Sequence, residues 1–360
     1  MVEVPISERA VYTARPTVRI DSSEFPKVSE LIRGMEMRES EGGLAALELR
    51  LTNVASDPRG RADLAFEDET SLRLGSSIEV YSGSQDAPQE VFRGFITGLE
   101  AIFSQGPPEL VILAEDSFQQ ARMTRRTRVH EDVSIVDLAE TVSSQLGLTP
   151  VVTGLTENIG VQVQFNESDL GFFRRILSRY QGDLQIVGNE MHVSPRQDVQ
   201  RGEVFLELHS QLQSARVLAD LAHQVTEITV SGWDPTQGQR VTGTSTGAKL
   251  GPGSGRNGSA LLRDAIGERS HHIGHLAVTT TEEAQAIADA AFDARARRFL
   301  YVEAVAEGNP TIRVGTHVTL RGLGPRFDNT YYVTNVCHRY DLDRGYETSF
   351  GAECAYLGEA

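Results

Sequence analysis

Acidic residues outnumber basic ones by 50 to 34 in this chain of 360 residues, and the formal charge of −16 is the wrong sign for a surface that holds nucleic acid. Hydrophobic residues make up 39 %, aromatics 7 %, and there are 33 Gly, the composition of a turn-rich β protein with room for about two to four domains. No run reaches the about 18 apolar residues of a membrane-spanning helix, and the opening MVEVPISERA lacks the basic start and apolar core of a secretory signal, so neither membrane insertion nor export by a signal peptide is expected.

Residues 1–14 are expected to be an N-terminal arm with little structure of its own. Val18 and Ile20 open a strand, residues 28–38 read as extended or briefly helical, and Glu41-Gly42-Gly43 as a turn. Leu47, Leu49 and Leu51 alternate with Glu48, Arg50 and Thr52, the period of a strand with one apolar face. A polar loop is expected over 55–68. Leu74-Gly75-Ser76-Ser77-Ile78-Glu79-Val80 is a turn and a strand, and residues 91–100 and 110–114 add two more. Short strands with Gly turns predict a small barrel over 15–120, and Gly94 inside a strand suits a bulge or sharp bend.

Arg122, Arg125, Arg126 and Arg128 form a basic run. A nucleic-acid contact is one reading; in so acidic a chain, a linker paired with acids of this or a neighbouring subunit is the stronger one. Ser134 and Asp137 form a capping box for a helix whose apolar face is Ile135, Leu138, Ala139, Val142 and Leu146, stopped by Gly147. Val161, Val163 and Phe165 alternate with Gln162 and Gln164, which predicts a strand that buries its apolar face. Asn166-Glu167-Ser168-Asp169 then caps a helix carrying Leu170, Phe173, Leu177 and Tyr180 on one face and ending at Gln181-Gly182. Residues 184–187 and 191–193 read as a hairpin about Gly188-Asn189. The whole is an α+β insert over 121–200, a packing unit with no nucleophile, ligand cluster or phosphate loop.

Beyond it, Val204, Leu206 and Leu208 resume strand alternation, residues 217–221 are ambiguous, and Val225, Ile228 and Val230 lead to Trp233, expected to pack in a core or interface. The Gly-rich stretch 243–258 is expected to be a mobile loop; Lys249 is followed by Leu250, which excludes a phosphate-binding loop. His271, His272 and His275 have helix-compatible spacing for a shared metal, but Gly274 interrupts and no Glu or Cys stands at a useful spacing, so no metal and no other cofactor is expected. A helix over 281–298 has a small-residue face, and strands follow over 300–306, 314–320, 331–340 and 347–355. Cys337 and Cys354 lack metal-type spacing and read as small buried hydrophobes in a reducing compartment. Glu115, Asp116, His130 and His338 are available to a hydrolase but carry no local signature, and Tyr331, Tyr332 and Trp233 are too sparse for a carbohydrate- or receptor-binding β module to be the first reading.

Residues 74–80 and 314–320 share the pattern apolar-Gly-polar-polar-apolar-polar-apolar, and each is followed by another strand, at 92–96 and 331–336. The echo predicts two related small barrels, one near each end. The order of these segments carries a family resemblance. The Leu-Gly strand, Phe-x-Gly-x-Ile and the Glu115-Asp116 ending come first; the Asn-Glu-Ser-Asp helix and hairpin of 165–193 follow; the Val-Gly strand, Tyr331–Tyr340 and Gly345-Tyr346-Glu347-Thr348 close the series. This set resembles the VgrG and late control protein D families, the baseplate hubs of contractile-tailed phages and type VI secretion systems, in pieces over 15–355.

The resemblance implies a mainly β chain with an α+β insert. It carries two small tube-type β-barrel domains, 15–120 and 201–360, and assembles as a pseudo-six-fold trimeric ring. It further implies a structural, non-enzymatic baseplate hub of a virion or injection particle, assembled in the bacterial cytoplasm, that adapts a six-fold inner tube to a three-fold spike. The implied partners are further copies in a homotrimer, the inner tube or tube-initiator protein, the spike and other baseplate proteins, with DNA or cargo passing a channel that does not hold it. VgrG proteins and some phage hubs continue into a spike; this sequence stops at Ala360, so under the resemblance the spike is expected to be a separate protein.

Overall fold

The computed structural model describes residues 15–56, 60, 62–66, 72–83, 87–247 and 249–359; the expected arm at 1–14 and part of the 55–68 loop lie outside them. The chain is mainly β with a few helices. It forms two compact units, neither of them a contiguous stretch. The first takes the described residues up to Gln120 with Val305–Arg313 and Asn335–Phe350; the second takes Ala121–Ala304, Val314–Thr334 and Gly351–Ala360.

In the first unit, strand Ile32–Ser40 pairs with Ala46–Thr52, then come Glu109–Glu115, Pro88–Ile102, Ser77–Gly83 and Thr17–Ile20, all antiparallel. On its other edge Ile32–Ser40 receives residues 335–341. Leu47, Leu49 and Leu51 are buried with Met35, Met37, Ile78, Val80, Phe92, Ile96 and Ile112, so the alternation read from the leucines marks the core side. The 28–38 stretch resolves into helix Pro26–Leu31, with Pro at its start and Val28 buried, followed directly by the strand.

Strand Pro88–Ile102 changes partner midway, from Ser77–Gly83 to Glu109–Glu115. Gly94 sits at the changeover, where a Cβ would lie 2.2 Å from the Glu115 carbonyl oxygen; the position demands close approach, as its place in the strand indicated.

In the second unit the capping box of Ser134 and Asp137 forms, and Gly147 ends helix Ile135–Leu146 at φ +67. Helix Asp169–Arg179 buries Leu170, Phe173 and Leu177 as expected, and Phe172 and Ile176 with them. Gly182–Val187 and Glu190–Pro195 form the hairpin about Gly188, with Thr149–Val152 parallel to the second strand. The ambiguous 217–221 region falls at the end of strand Leu212–Ala219.

Strands Glu227–Asp234, Gln239–Ser245 and Ser270–Ile273 form a sheet covered by helix Thr281–Ala296. A Cβ on Gly243 would meet the helix backbone at Ala284 at 2.3 Å, so the helix lies directly on the strand and its alanine face makes that approach possible. The Gly-rich stretch is shorter as a loop than expected. Strand Gln239–Ser245 enters it, helix Gly258–Ala265 begins at its end with Asn257 as cap, and Arg256–Asn257 pairs with Tyr356–Leu357. Asn329 holds it from both sides, accepting from Ser254 N at 3.0 Å and donating to Ser254 O at 2.9 Å.

The echo has a geometric counterpart. Gly75 and Gly315 adopt φ of +87 and +88. Gly75 N–H donates to Ile96 O at 2.8 Å and Gly315 N–H to Val333 O at 3.0 Å. In both hairpins the apolar residues after the glycine, Ile78 and Val80 or Val318 and Leu320, are fully buried. Among the described residues the strand paths stay open rather than closing into a barrel.

Candidate functional site

The residues a hydrolase would need are each engaged in structure. Asp116 accepts from Ala45 N at 2.7 Å and from Phe118 N at 2.9 Å, which fixes the entry to helix Phe118–Met123. His130 stacks on Phe172, ring centroids 5.0 Å apart. His338 is wholly buried, with Nδ1 2.8 Å from the Tyr346 hydroxyl and 3.2 Å from Thr348 Oγ1. Burial, with a smaller push from the Arg313 charge, takes its pKa down to about 3. A histidine that stays neutral through the physiological range is no proton shuttle.

The other residues singled out in the sequence are also dispersed. His271 and His272 are consecutive in strand Ser270–Ile273 and so point to opposite faces; His272 Nε2 lies 3.1 Å from Ser231 Oγ. Burial lowers the His271 pKa, helped by Arg295 and Arg269. Among the described residues no group of three or more His, Cys, Asp or Glu is arranged for a metal. Both thiols are free, and burial pushes Cys354 up to about 12. Tyr331 is fully buried with its hydroxyl donating to Phe327 O at 2.7 Å, Tyr332 lies under the Arg196 guanidinium at 3.9 Å, and Trp233 alone of the three aromatics is exposed.

One charged cluster escaped the sequence reading. Glu353 faces Arg196 at 3.1 Å, Arg297 at 3.6 Å and Arg298 at 3.6 Å. Beside it a cavity of about 260 Å³ is lined by Tyr180, Arg196, Lys249, Asp289, Asp293 and Arg297. Its lining sets three cations against two carboxylates, and it holds no nucleophile beside a base.

What stands out instead is surface. The strand predicted to bury Val161, Val163 and Phe165 does the reverse: they are 62 %, 48 % and 74 % exposed, while Gln162 and Gln164 are buried. The period was right and the face was wrong. Gln164 Nε2 donates to Asp169 Oδ1 at 2.9 Å and to Glu167 O at 3.0 Å, and Gln162 Nε2 to Ile159 O at 2.6 Å, so the inner side is a satisfied polar one. The basic run is not a linker. Arg125–His130 is a strand antiparallel to Gln162–Ser168. Arg126 pairs with Asp169 at 3.4 Å, whereas Arg125 and Arg128 lie on the exposed surface. In the first unit, the end of strand Pro88–Ile102 and its partner expose Leu99, Phe103 and Leu113. Exposed apolar side chains grouped in this way are a general mark of surfaces that contact other proteins.

Comparison with known proteins agrees in fold. A 43 kDa tail protein of prophage MuSo2 from Shewanella oneidensis matches with a TM-score of 0.68 at 14 % identity, over 94 % of this chain and 97 % of that one. A tail protein of Neisseria meningitidis MC58 matches with 0.65 at 11 % identity, over 95 % and 99 %. A type VI secretion component of E. coli, described as structurally similar to the T4 bacteriophage tail proteins gp27 and gp5, matches with 0.60 at 13 % identity, over 95 % of this chain and 79 % of that one. The fold is thus that of phage tail and secretion-system proteins. No curated protein matches in sequence. A family model described as the Alg8 N-terminal domain matches residues 50–341.

Proposed function

The chain belongs to the family of the Alg8 N-terminal domain, and we propose that it serves as a structural, non-enzymatic baseplate hub of a contractile phage tail or related injection system. The observation that carries the reading is the repeated hairpin, with its two glycines at φ +87 and +88 making the same hydrogen bond. Three copies of a chain with two such hairpins present six around a three-fold axis, which suits a six-fold inner tube on one side and a three-fold spike on the other. In this reading the tube-type domains are 15–120 and 201–360, flanking the insert 121–200, and the strand paths left open in one chain close through neighbouring copies. Its partners are two further copies, the tube or tube-initiator protein, the spike and other baseplate proteins. Its place is the baseplate of the particle. A channel through a protein of charge −16 passes DNA or cargo without retaining it.

The test is the mass of the purified chain by light scattering, with negative-stain images of the same fraction. Rings of three copies with a central hole are expected. A monomer at every concentration, unchanged by co-expression with its tube and spike proteins, would sink the reading.

A further inference from the structure

Ser270–Ile273 is an edge strand parallel to Glu227–Asp234, with His271 opposite Ile228. Ile228 is fully buried beneath helix Thr281–Ala296, and Ile273 packs against the same core, so His271 stands on the helix side of the sheet. Arg269, just before the strand, is fixed to the neighbouring segment. Its backbone N–H donates to Thr226 Oγ1 at 2.9 Å, its carbonyl accepts from Thr226 N at 2.9 Å, and its Nη1 donates to Ala222 O at 2.7 Å. The helix reaches the same place. Ala284, Ala288 and Ala291 pack on the sheet, Arg295 continues their row at helical spacing, and Gln224 Nε2 donates to Arg295 O at 2.6 Å. Residues 222–226 thus hold Arg269 on one side and the last turn of the helix on the other.

Three cationic side chains are brought together there. Arg295 is half-buried, and Arg269 and His271 are exposed. The arginines that follow in the chain are answered by an acid, since Arg297 and Arg298 each face Glu353 at 3.6 Å. Among the described residues no carboxylate stands within ion-pair reach of Arg295 or Arg269. The charges that Arg295 and His271 feel are all of their own sign: burial and Arg269 lower the Arg295 pKa, and burial, Arg295, Arg269 and His272 lower that of His271. A cation in the last turn of a helix is favoured by the helix dipole, but the dipole does not account for a second arginine and a histidine set against it. In a chain with 50 acidic residues, a group of cations that meets none of them is open to an anion from outside.

We propose that Arg269, Arg295 and His271 form a binding site for a tetrahedral oxyanion of the phosphate class. The Arg295 guanidinium donates to no acceptor among the described residues, so its whole fork of N–H groups is available. Arg269 keeps one contact to Ala222 and offers its remaining donors, and neutral His271 still carries one ring N–H. The chain's charge of −16 does not forbid the anion, because screening confines electrostatics to about 8–10 Å at ordinary ionic strength and the nearest charges decide. The bound anion ties the edge strand, residues 222–226 and the end of the helix to one another, all within the second unit. The site is complete in one copy and does not depend on the hub reading.

The experiment follows thermal unfolding of the full chain at neutral pH while inorganic phosphate, sulfate or acetate replaces chloride at constant ionic strength. Phosphate and sulfate should raise the wild-type midpoint along a saturating curve, and acetate much less. The general stabilisation by such salts does not saturate and is shared by every variant, so it is separable. Arg295→Gln should weaken phosphate binding by about tenfold or more. In chloride alone the same variant should unfold at or above the wild-type midpoint, because a half-buried charge among like charges has been removed. Arg295→Lys, which keeps the charge but not the fork, should retain a weaker phosphate response. A wild-type midpoint with no saturating response to phosphate, or an equal response to acetate, overturns the site. So does an Arg295→Gln variant that responds like wild type. A variant that is destabilised in chloride would show that the guanidinium serves the helix end and not a ligand.

Discussion

Asn329 shows what single residues do in this fold. Its amide makes hydrogen bonds with Ser254 in both directions and also donates to Tyr356 O at 3.0 Å, joining the Gly-rich stretch to the C-terminal strand. Asn329→Ala removes the partner of these part-buried groups and should cost about 1–2 kcal/mol in chemical denaturation. In the sequence Asn329 is a turn marker beside Asp328; its larger role depends on a contact 75 residues away, which no local pattern carries. His338 gives a pH signature. Its folded pKa, about 3, lies below the ordinary 6.5, so between these values the unfolded chain binds a proton that the native one refuses. Stability from this group is complete above about pH 6.5 and falls as pH drops toward 3. The unfolding midpoint of His338→Gln, which keeps a hydrogen-bonding side chain but does not titrate, should depend less steeply on pH across that window than that of wild type. Equal slopes would show that His338 is not held neutral.

At the scale of elements, capping and periodicity were legible, and facing was legible for the leucine strand but not for strand Gln162–Ser168. Ser134 with Asp137, Gly147 as a helix stop and the leucines of 47–51 each depend on neighbours within a few residues, and each forms as read. The latter strand shows the limit. Alternation states that two faces differ, but which one turns inward is decided by what lies beneath, here the polar start of helix Asp169–Arg179. Buried glutamines beside exposed valines were the available signal, visible only once a hydrogen-bonding neighbour was known. Gly94 is the complementary case, where a glycine inside a strand correctly signalled a close approach. Gly94→Ala pushes a methyl into the Glu115 carbonyl and should destabilise the first unit by about 1–3 kcal/mol, measured as a lower denaturation midpoint with the fold retained. A neutral result would mean that the changeover of strand partners has slack.

For the molecule as a whole, the paired glycine hairpins were visible in the sequence as a seven-residue echo, and their shared backbone geometry is what makes a six-fold-like trimer a specific expectation. The composition of each unit was not visible. Strand patterns read in order imply contiguous domains, whereas strands Leu300–Glu307, Asn329–Asp341 and Gly345–Cys354 each divide their residues between the two units.

That interleaving has a consequence for synthesis. Strand Ile32–Ser40 leaves the ribosome early, but its partner follows much later: Glu36 and Arg339, bonded at 3.0 Å across the pair, are 303 residues apart. At ordinary translation speeds the early strand waits roughly 15–60 s with one edge unpaired. During that interval it is open to mispairing and to holdase chaperones, and its docking is slow because the loop to be closed is long. The same delay acts as a check on completeness. A chain that terminates before residue 335 leaves the first unit lacking the strand that finishes its sheet, so prematurely ended products expose an unpaired edge to aggregation and proteolysis.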